Sequence, residues 1–345
     1  MVRIRGERRG SMGGVAKGVA LALAVGAAAA TVSSWAPDQA DPAPLPPAAS
    51  AASERGDPAS SRPTPSESAP SARDASGPAS WYPEQAESAP AVPENTDPGV
   101  RAFVLAYGPL IDSVTYHAHD VVFHLGRTPI HFQDGRLLAA DRLDRRSECD
   151  PIFYRYSLEP LTVPPPAPDE LPTYCTDVLE SLWGRTEGQI REHGRAVRFL
   201  DHRMFVNHRL VGPLAAVERD ILKAASHDSA VAAWIDELDV TYSFMNREIA
   251  GSPTRSHHAW GLAIDLVPIS YEGRDAYWRW SRVLEGGDWD RIPMEQRWSP
   301  PQRVVAVFER HGFVWGGKWP LFDMIHFEYR PEILLYNRML SSGGR

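Results

Sequence analysis

Two short stretches constrain this chain more than any other feature. Ser256-His257-His258-Ala259-Trp260-Gly261-Leu262-Ala263-Ile264-Asp265 and Asp323-Met324-Ile325-His326-Phe327-Glu328 set imidazoles and carboxylates inside strand-like apolar runs. Burying such groups costs free energy unless each finds a partner, so a fold that takes them inside must supply one. In a strand from Gly261 onward, Ala263 and Asp265 share a face, which puts a carboxylate beneath small residues that leave room above it. His258 lies just before, in the entering loop. In the second stretch His326 and Glu328 share a strand face, and Asp323 sits at the mouth of the strand. Two imidazoles and one carboxylate meet the ligand count of a catalytic zinc, which takes three protein ligands and keeps a fourth position for water. Zinc lowers the pKa of that water toward 7, and a carboxylate beside it can pass the proton to a leaving amine. Asp323 is placed for that role.

A lone histidine or aspartate is more often a hydrogen-bonded core residue or a cap than a ligand. Here two independent segments carry candidates together, which favours a metal site. His257 is the rival to His258. Glu328 is either the base or, as we favour, a carboxylate that orients a ligand imidazole. His117, His119 and His124 include a His-x-His pair, but a pair without a third ligand is weak evidence for a second metal. His202 and His208 carry no such signal. Cys175 has no histidine partner in its own segment, which leaves a thiol nucleophile little support.

The first hundred residues of the 345 differ from the rest. Arg3, Arg5, Arg8 and Arg9 precede an apolar run from Val19 to Ala30, the length of a signal-peptide core and short for a membrane span. Residues 1–36 read as an export signal, with an uncleaved anchor as the alternative. Residues 37–99 are rich in Pro, Ala and Ser and read as a disordered linker. Cys149 and Cys175 are the only cysteines, and an even count in an exported chain permits one disulfide closing a loop of about 26 residues. Two buried thiols are the alternative. The net charge of -8, with no basic run interleaved with aromatics after the leader, argues against a nucleic-acid binder.

From Val100 to about Leu161 the pattern favours strands, with a hairpin around Val121–Phe132 and a turn at Asp134-Gly135. Thr162 to Pro172 carries five prolines and reads as an extended connector, after which Thr176 and Asp177 can cap a helix containing Val178, Leu179 and Leu182. Two amphipathic helices follow, one with Leu214, Val217, Ile221 and Leu222 on a face, the next with Val231, Trp234, Ile235 and Leu238. A third has Ser299 as N-cap, Pro300 and Pro301 in its first turn, Val304, Val305 and Phe308 as its buried stripe, and Gly312 as its stop. Phe313 to Trp315, Ala263 to Val267 and Ile325 to Tyr329 suit strands.

The pattern Ser256-x-His258-x-x-Gly261-x-Ala263-x-Asp265, followed by Asp323-x-x-His326-Phe327-Glu328, resembles the bipartite metal motif of the vancomycin-resistance-type D-alanyl-D-alanine carboxypeptidases and their relatives, the L-alanyl-D-glutamate endopeptidases of phage and bacteria. Tyr242, Arg247 and the block Gly312 to Trp319 also resemble that family, and the likeness spans about Val206 to Leu335. It implies zinc on His258, Asp265 and His326, Asp323 as general base, Arg247 polarising the scissile carbonyl or steadying the oxyanion, and Ser256 helping to place substrate. It departs from the family in a long insertion between the motif halves carrying Tyr271, Tyr277, Trp278, Trp280, Trp289 and Trp298. Little likeness extends into Val100 to Leu200.

The expected fold is α+β, a mostly antiparallel sheet flanked by helices of the D,D-peptidase/hedgehog-like kind, with a β-rich N-terminal subdomain over 100–200 and a zinc metallopeptidase domain over 201–345. The resemblance implies an exported enzyme, periplasmic, envelope-bound or extracellular, that hydrolyses peptidoglycan stem peptides as carboxypeptidase or endopeptidase. A non-catalytic zinc-containing wall-binding module and a peptidase acting on proteins are the alternatives. The apolar leader is a candidate membrane tether, and no signature of oligomeric state is visible.

Overall fold

A computed structural model of the chain describes residues 89–342, except Glu94, His119, Arg127, Ala250, Gly251 and Pro253. The export segment and nearly all of the linker lie outside the described residues, as does His119. Among the described residues no helix is long and apolar enough to cross a membrane. The architecture is α+β with antiparallel sheets flanked by helices, as expected.

Helix α1 (Pro98–Tyr107) starts where the Asp97 side chain accepts the Gly99 N–H at 2.7 Å and Pro98 fills the first turn. This corrects the strand reading from Val100. Val100, Phe103, Val104 and Tyr107 are buried at three- and four-residue spacing, a helical stripe whose β-branched and aromatic residues imitate a strand. Strands β1 (Ser113–His117), β2 (Asp120–Leu125), β3 (Thr128–Gln133) and β4 (Arg136–Ala139) then form an antiparallel meander. The Asp134-Gly135 turn joins β3 to β4 with both residues at positive φ, 49° and 76°.

Cys149 and Cys175 form a disulfide with Cα atoms 5.5 Å apart, bracketing the proline-rich connector. Helix α2 (Asp177–Trp183) lacks the expected cap: Thr176 makes no capping bond, and buried Asp177 instead accepts from Ala139 N at 3.2 Å and Arg142 Nε at 2.8 Å, tying the helix to the end of β4. A short helix α3 (Glu187–Glu192) leads to a hairpin of β5 (Gly194–Phe199) and β6 (His202–Asn207).

Helix α4 (Val211–Ala225) buries Leu214, Val217, Ile221 and Ala224. Leu222, expected on that face, is 51% exposed because the stripe continues from Ile221 to Ala224. In helix α5 (Ser229–Asp236) Val231 and Trp234 are buried, while Leu238 opens the next strand. Helix α6 (Trp278–Glu285) lies in the insertion, and the best-marked helix after it begins later than expected: α7 (Gln302–Arg310) has Pro301 as its N-cap, and the Ser299 hydroxyl donates to Pro300 O at 2.6 Å. Each proline disfavours helical geometry in the residue before it, so two in a row postpone the start. The buried stripe of Val304, Val305 and Phe308 and the turn at Gly312 (φ 91°) follow as expected.

The central sheet is antiparallel in the order β7-β8-β10-β9, from β7 (Leu238–Tyr242), β8 (Ala263–Pro268), β9 (Phe313–Trp315) and β10 (His326–Tyr329). Side chains alternate across it. Ile264, Leu266, Phe313, Trp315, Phe327 and Tyr329 enter one large core with α4, α5 and α7. Asp265, His326 and Glu328 fall on the opposite face, and they too are buried. On that face Val314 joins a second core containing α1, the meander and the C-terminal helix α8 (Pro331–Ser342), with Phe103, Phe123, Ile130, Ile333 and Leu334 packed together. Tyr107 in α1 donates to Glu332 in α8 at 3.1 Å.

Candidate metal centre

The register of the central sheet sets Asp265 directly opposite His326, and Tyr242 opposite Asp265 on the other side. Opposed residues of an antiparallel pair project to the same face, so two segments far apart in sequence deliver a carboxylate and an imidazole side by side. His258 arrives from the 3-10 turn His257–Trp260, which the Ser256 hydroxyl caps by accepting His258 N–H at 3.4 Å. The turn ends at Gly261 in the left-handed region (φ 65°), and a Cβ there would lie 2.7 Å from the Asn207 backbone nitrogen. Only glycine allows this approach, through which Asn207 N–H reaches Gly261 O at 2.9 Å.

His258 Nε2 lies 3.2 Å from Asp265 Oδ1 and 3.2 Å from His326 Nδ1, and the last two atoms are 2.8 Å apart. A tetrahedral zinc with bonds of about 2.0–2.1 Å separates its ligands by about 3.3 Å, so the residues fit the ion. The far side of each ring is held by a neighbour. His258 Nδ1 donates to Ser243 O at 2.6 Å, and His326 Nε2 donates to Glu328 Oε1 at 3.1 Å, leaving Nε2 of one and Nδ1 of the other free to bind metal. His257 is not part of this cluster; its Nδ1 lies 3.3 Å from Glu328 Oε1. Among the described residues this is the one group of three such side chains with ligand atoms within 4.8 Å of one another.

Charge balance follows the same geometry. Burial works against ionisation of Asp265, but the His258 and His326 imidazoles outweigh it and hold the carboxyl well below the usual range. Burial likewise opposes the charge on His326, and hydrogen bonds to Asp265 and Glu328 overcome it, pushing the imidazole up to about 10. Burial lowers His257 to about 4 against the pull of Glu328. Asp323 is pushed up to about 7, first by burial, with His326 and Arg247 opposing and Asp265 adding to the rise.

Asp323 is held by its backbone: its N–H donates to Gly316 O at 3.1 Å, and its carbonyl accepts His326 N–H at 3.3 Å. A Cβ on Gly316 would stand 2.6 Å from that carbonyl, so glycine is required at this contact as well. Asp323 Oδ1 is buried without a hydrogen-bond partner among the described residues. Arg247 lies on the exposed loop after β7, close enough for its charge to act on Asp323 and Tyr277. Ser256 is buried and caps the His258 turn.

Several further side chains adjoin the centre. The Trp319 ring lies 5.4 Å from that of His326, and its Nε1 donates to the Tyr154 hydroxyl at 3.1 Å. Tyr174 N–H donates to Thr254 Oγ1 at 3.0 Å, just ahead of the His258 turn. Residues from the N-terminal half thus reach both edges of the metal face. The aromatic insertion is pinned to the Asp323 segment: Tyr277 pairs with Asp323, Trp278 N–H donates to Phe322 O at 3.0 Å, and Met324 N–H donates to Ala276 O at 2.9 Å.

Residues 250–329 match the family model described as D-alanyl-D-alanine carboxypeptidase, a span that includes both halves of the motif and the insertion. Tyr242 and Arg247 fall just before it. No solved structure matches the chain. The family is zinc-dependent, and the buried His258, Asp265 and His326 provide a site of the matching kind. Residues 250–329, with the buried His-Asp-His cluster inside them, are thus similar to the zinc metallopeptidases of the D-alanyl-D-alanine carboxypeptidase family.

Proposed function

We propose that the protein hydrolyses amide bonds in peptidoglycan stem peptides with Asp323 as general base. The observation that carries this reading is the Asp323 carboxylate, half-buried with one inward oxygen unpartnered among the described residues, beside a buried His-Asp-His cluster. Zinc, held by His258, Asp265 and His326, supplies an acidified water and a Lewis acid for the carbonyl. Asp323 takes the proton of the attacking water and delivers it to the leaving amine. Without metal, burial pushes its pKa up to about 7, and a bound cation draws it back toward the ionised form that accepts the proton. Arg247 faces the same carboxylate from the solvent side and meets the carbonyl oxygen as it gains charge. Glu328 fixes the tautomer of His326, and Ser256 holds the turn that presents His258 while bordering the substrate.

The wall peptide as substrate rests on the family match, and export by residues 1–36 with a tether over 37–99 accords with it. In this reading residues 201–345 carry the catalytic groups, with 100–200 packed beside them. The test is digestion of purified sacculi by the zinc-loaded full chain, followed by mass spectrometry, which also names the bond cut. Asp323→Ala is expected to keep its zinc and lose turnover about 10²–10⁴-fold. Sacculi left intact by the wild type, or an Asp323→Ala variant as fast as wild type, would overturn the proposal.

A further inference from the structure

The insertion between the motif halves brings a phenol to the centre. Tyr271 follows β8 by three residues, and its ring is held edge-on by Trp280 and Trp298, with centroids 6.0 Å and 5.8 Å away. Those tryptophans belong to the same segment that is hydrogen-bonded to residues 322–324, so the ring's position is fixed relative to Asp323. The carboxylates of Asp323 and Asp265 and the phenol of Tyr242, opposite Asp265 in the sheet, are the groups that act on the Tyr271 hydroxyl. A phenol keeps its proton throughout the neutral range, so the group is a donor there. Arg247 lies on the same side, where it acts on Asp323 and on Tyr277.

We propose that Tyr271 is a substrate-contacting donor: its hydroxyl hydrogen-bonds the scissile carbonyl oxygen and strengthens that bond as the oxygen becomes anionic, in partnership with Arg247. The phenol keeps its proton and no bond to it forms or breaks. A donor fixed by packing is suited to this work because it needs no reorganisation as charge develops. The inference rests on the reading of the centre as a hydrolase, and it assigns the insertion a part in the chemistry.

Tyr271→Phe removes one oxygen and keeps the ring between Trp280 and Trp298. In the zinc-loaded full chain acting on isolated stem peptides, kcat is expected to fall about ten- to a hundredfold, with KM within about threefold. Zinc stoichiometry and Tm should match wild type. A phosphinate analogue of the scissile bond, followed by calorimetry, should bind the variant more weakly by a similar factor, while product peptide binds both proteins equally. Phosphinate affinity and kcat within about twofold of wild type would overturn the proposal, and so would a loss accompanied by lower Tm or zinc content. A wild type without turnover counts against the hydrolase reading instead, and the phosphinate comparison still judges Tyr271.

Discussion

At the scale of single residues, the centre works because each ligand's other valence is already committed. His258 gives Nδ1 to the Ser243 carbonyl and His326 gives Nε2 to Glu328, so both rings are oriented for metal binding before the ion arrives, and binding need only displace the proton that Asp265 holds on His326 Nδ1. The convergence of His258, Asp265 and His326 was legible from residue type and motif, because charged groups inside apolar strand runs demand partners. Which ring nitrogen faces the metal was not legible, since that depends on a carbonyl contributed by a strand end fifteen residues upstream of His258. The contact of Trp319 with Tyr154 was not legible for a similar reason: it joins residues 165 apart. The raised pKa of Asp323 has a kinetic consequence. A base must be ionised to accept a proton, so its protonation as pH falls removes activity. Burial places the midpoint near 7 without metal, and a bound cation favours the carboxylate and draws it lower. A pH profile of kcat/KM for the zinc enzyme should therefore show an acid limb at or below pH 7. A limb centred above 7, or a flat profile from pH 4 to 8, would contradict the assignment.

At the scale of elements, alternation in β8 and β10 was readable, and their register then did the rest by opposing His326 to Asp265. Helices were harder where local chemistry misled. Buried valines and aromatics made α1 look like a strand, and consecutive prolines moved the start of α7 past its apparent cap. The 3-10 turn carrying His258 is the element on which the centre depends most directly. Its closing residue, Gly261, combines positive φ with a backbone contact that leaves no space for a methyl group. Gly261→Ala should destabilise the fold by about 1–3 kcal/mol through backbone strain. It should also push the turn away from β6 and so weaken zinc binding, because His258 moves with it. Denaturant unfolding and competitive zinc titration measure the two effects, and a variant equal to wild type in both would show that the turn tolerates the displacement.

At the scale of the whole molecule, the metal-bearing face of the central sheet is also the face on which the N-terminal half packs. Val314 enters the core shared by α1 and the meander, Tyr156 hydroxyl accepts Trp315 N–H at 2.9 Å, and Lys318 Nζ donates to Ser157 O at 3.0 Å. Helix α8 closes the same layer, burying Ile333, Leu334 and Leu335 against residues from 100–156. The hairpin of β5 and β6 runs across position 200, so a cut there separates paired strands. Each apolar side chain uncovered by such a cut forfeits about 1.5–3 kcal/mol, comparable in sum to the whole stability of an ordinary domain. A fragment of residues 201–345 should therefore fail to fold cooperatively and fail to hold zinc at one ion per chain, although all three ligands are present. A chain from residue 89 onward should do both. Thermal unfolding and metal analysis of the two proteins decide the matter: a cooperative transition and stoichiometric zinc in the shorter fragment would mean that the N-terminal half is dispensable to the centre it covers.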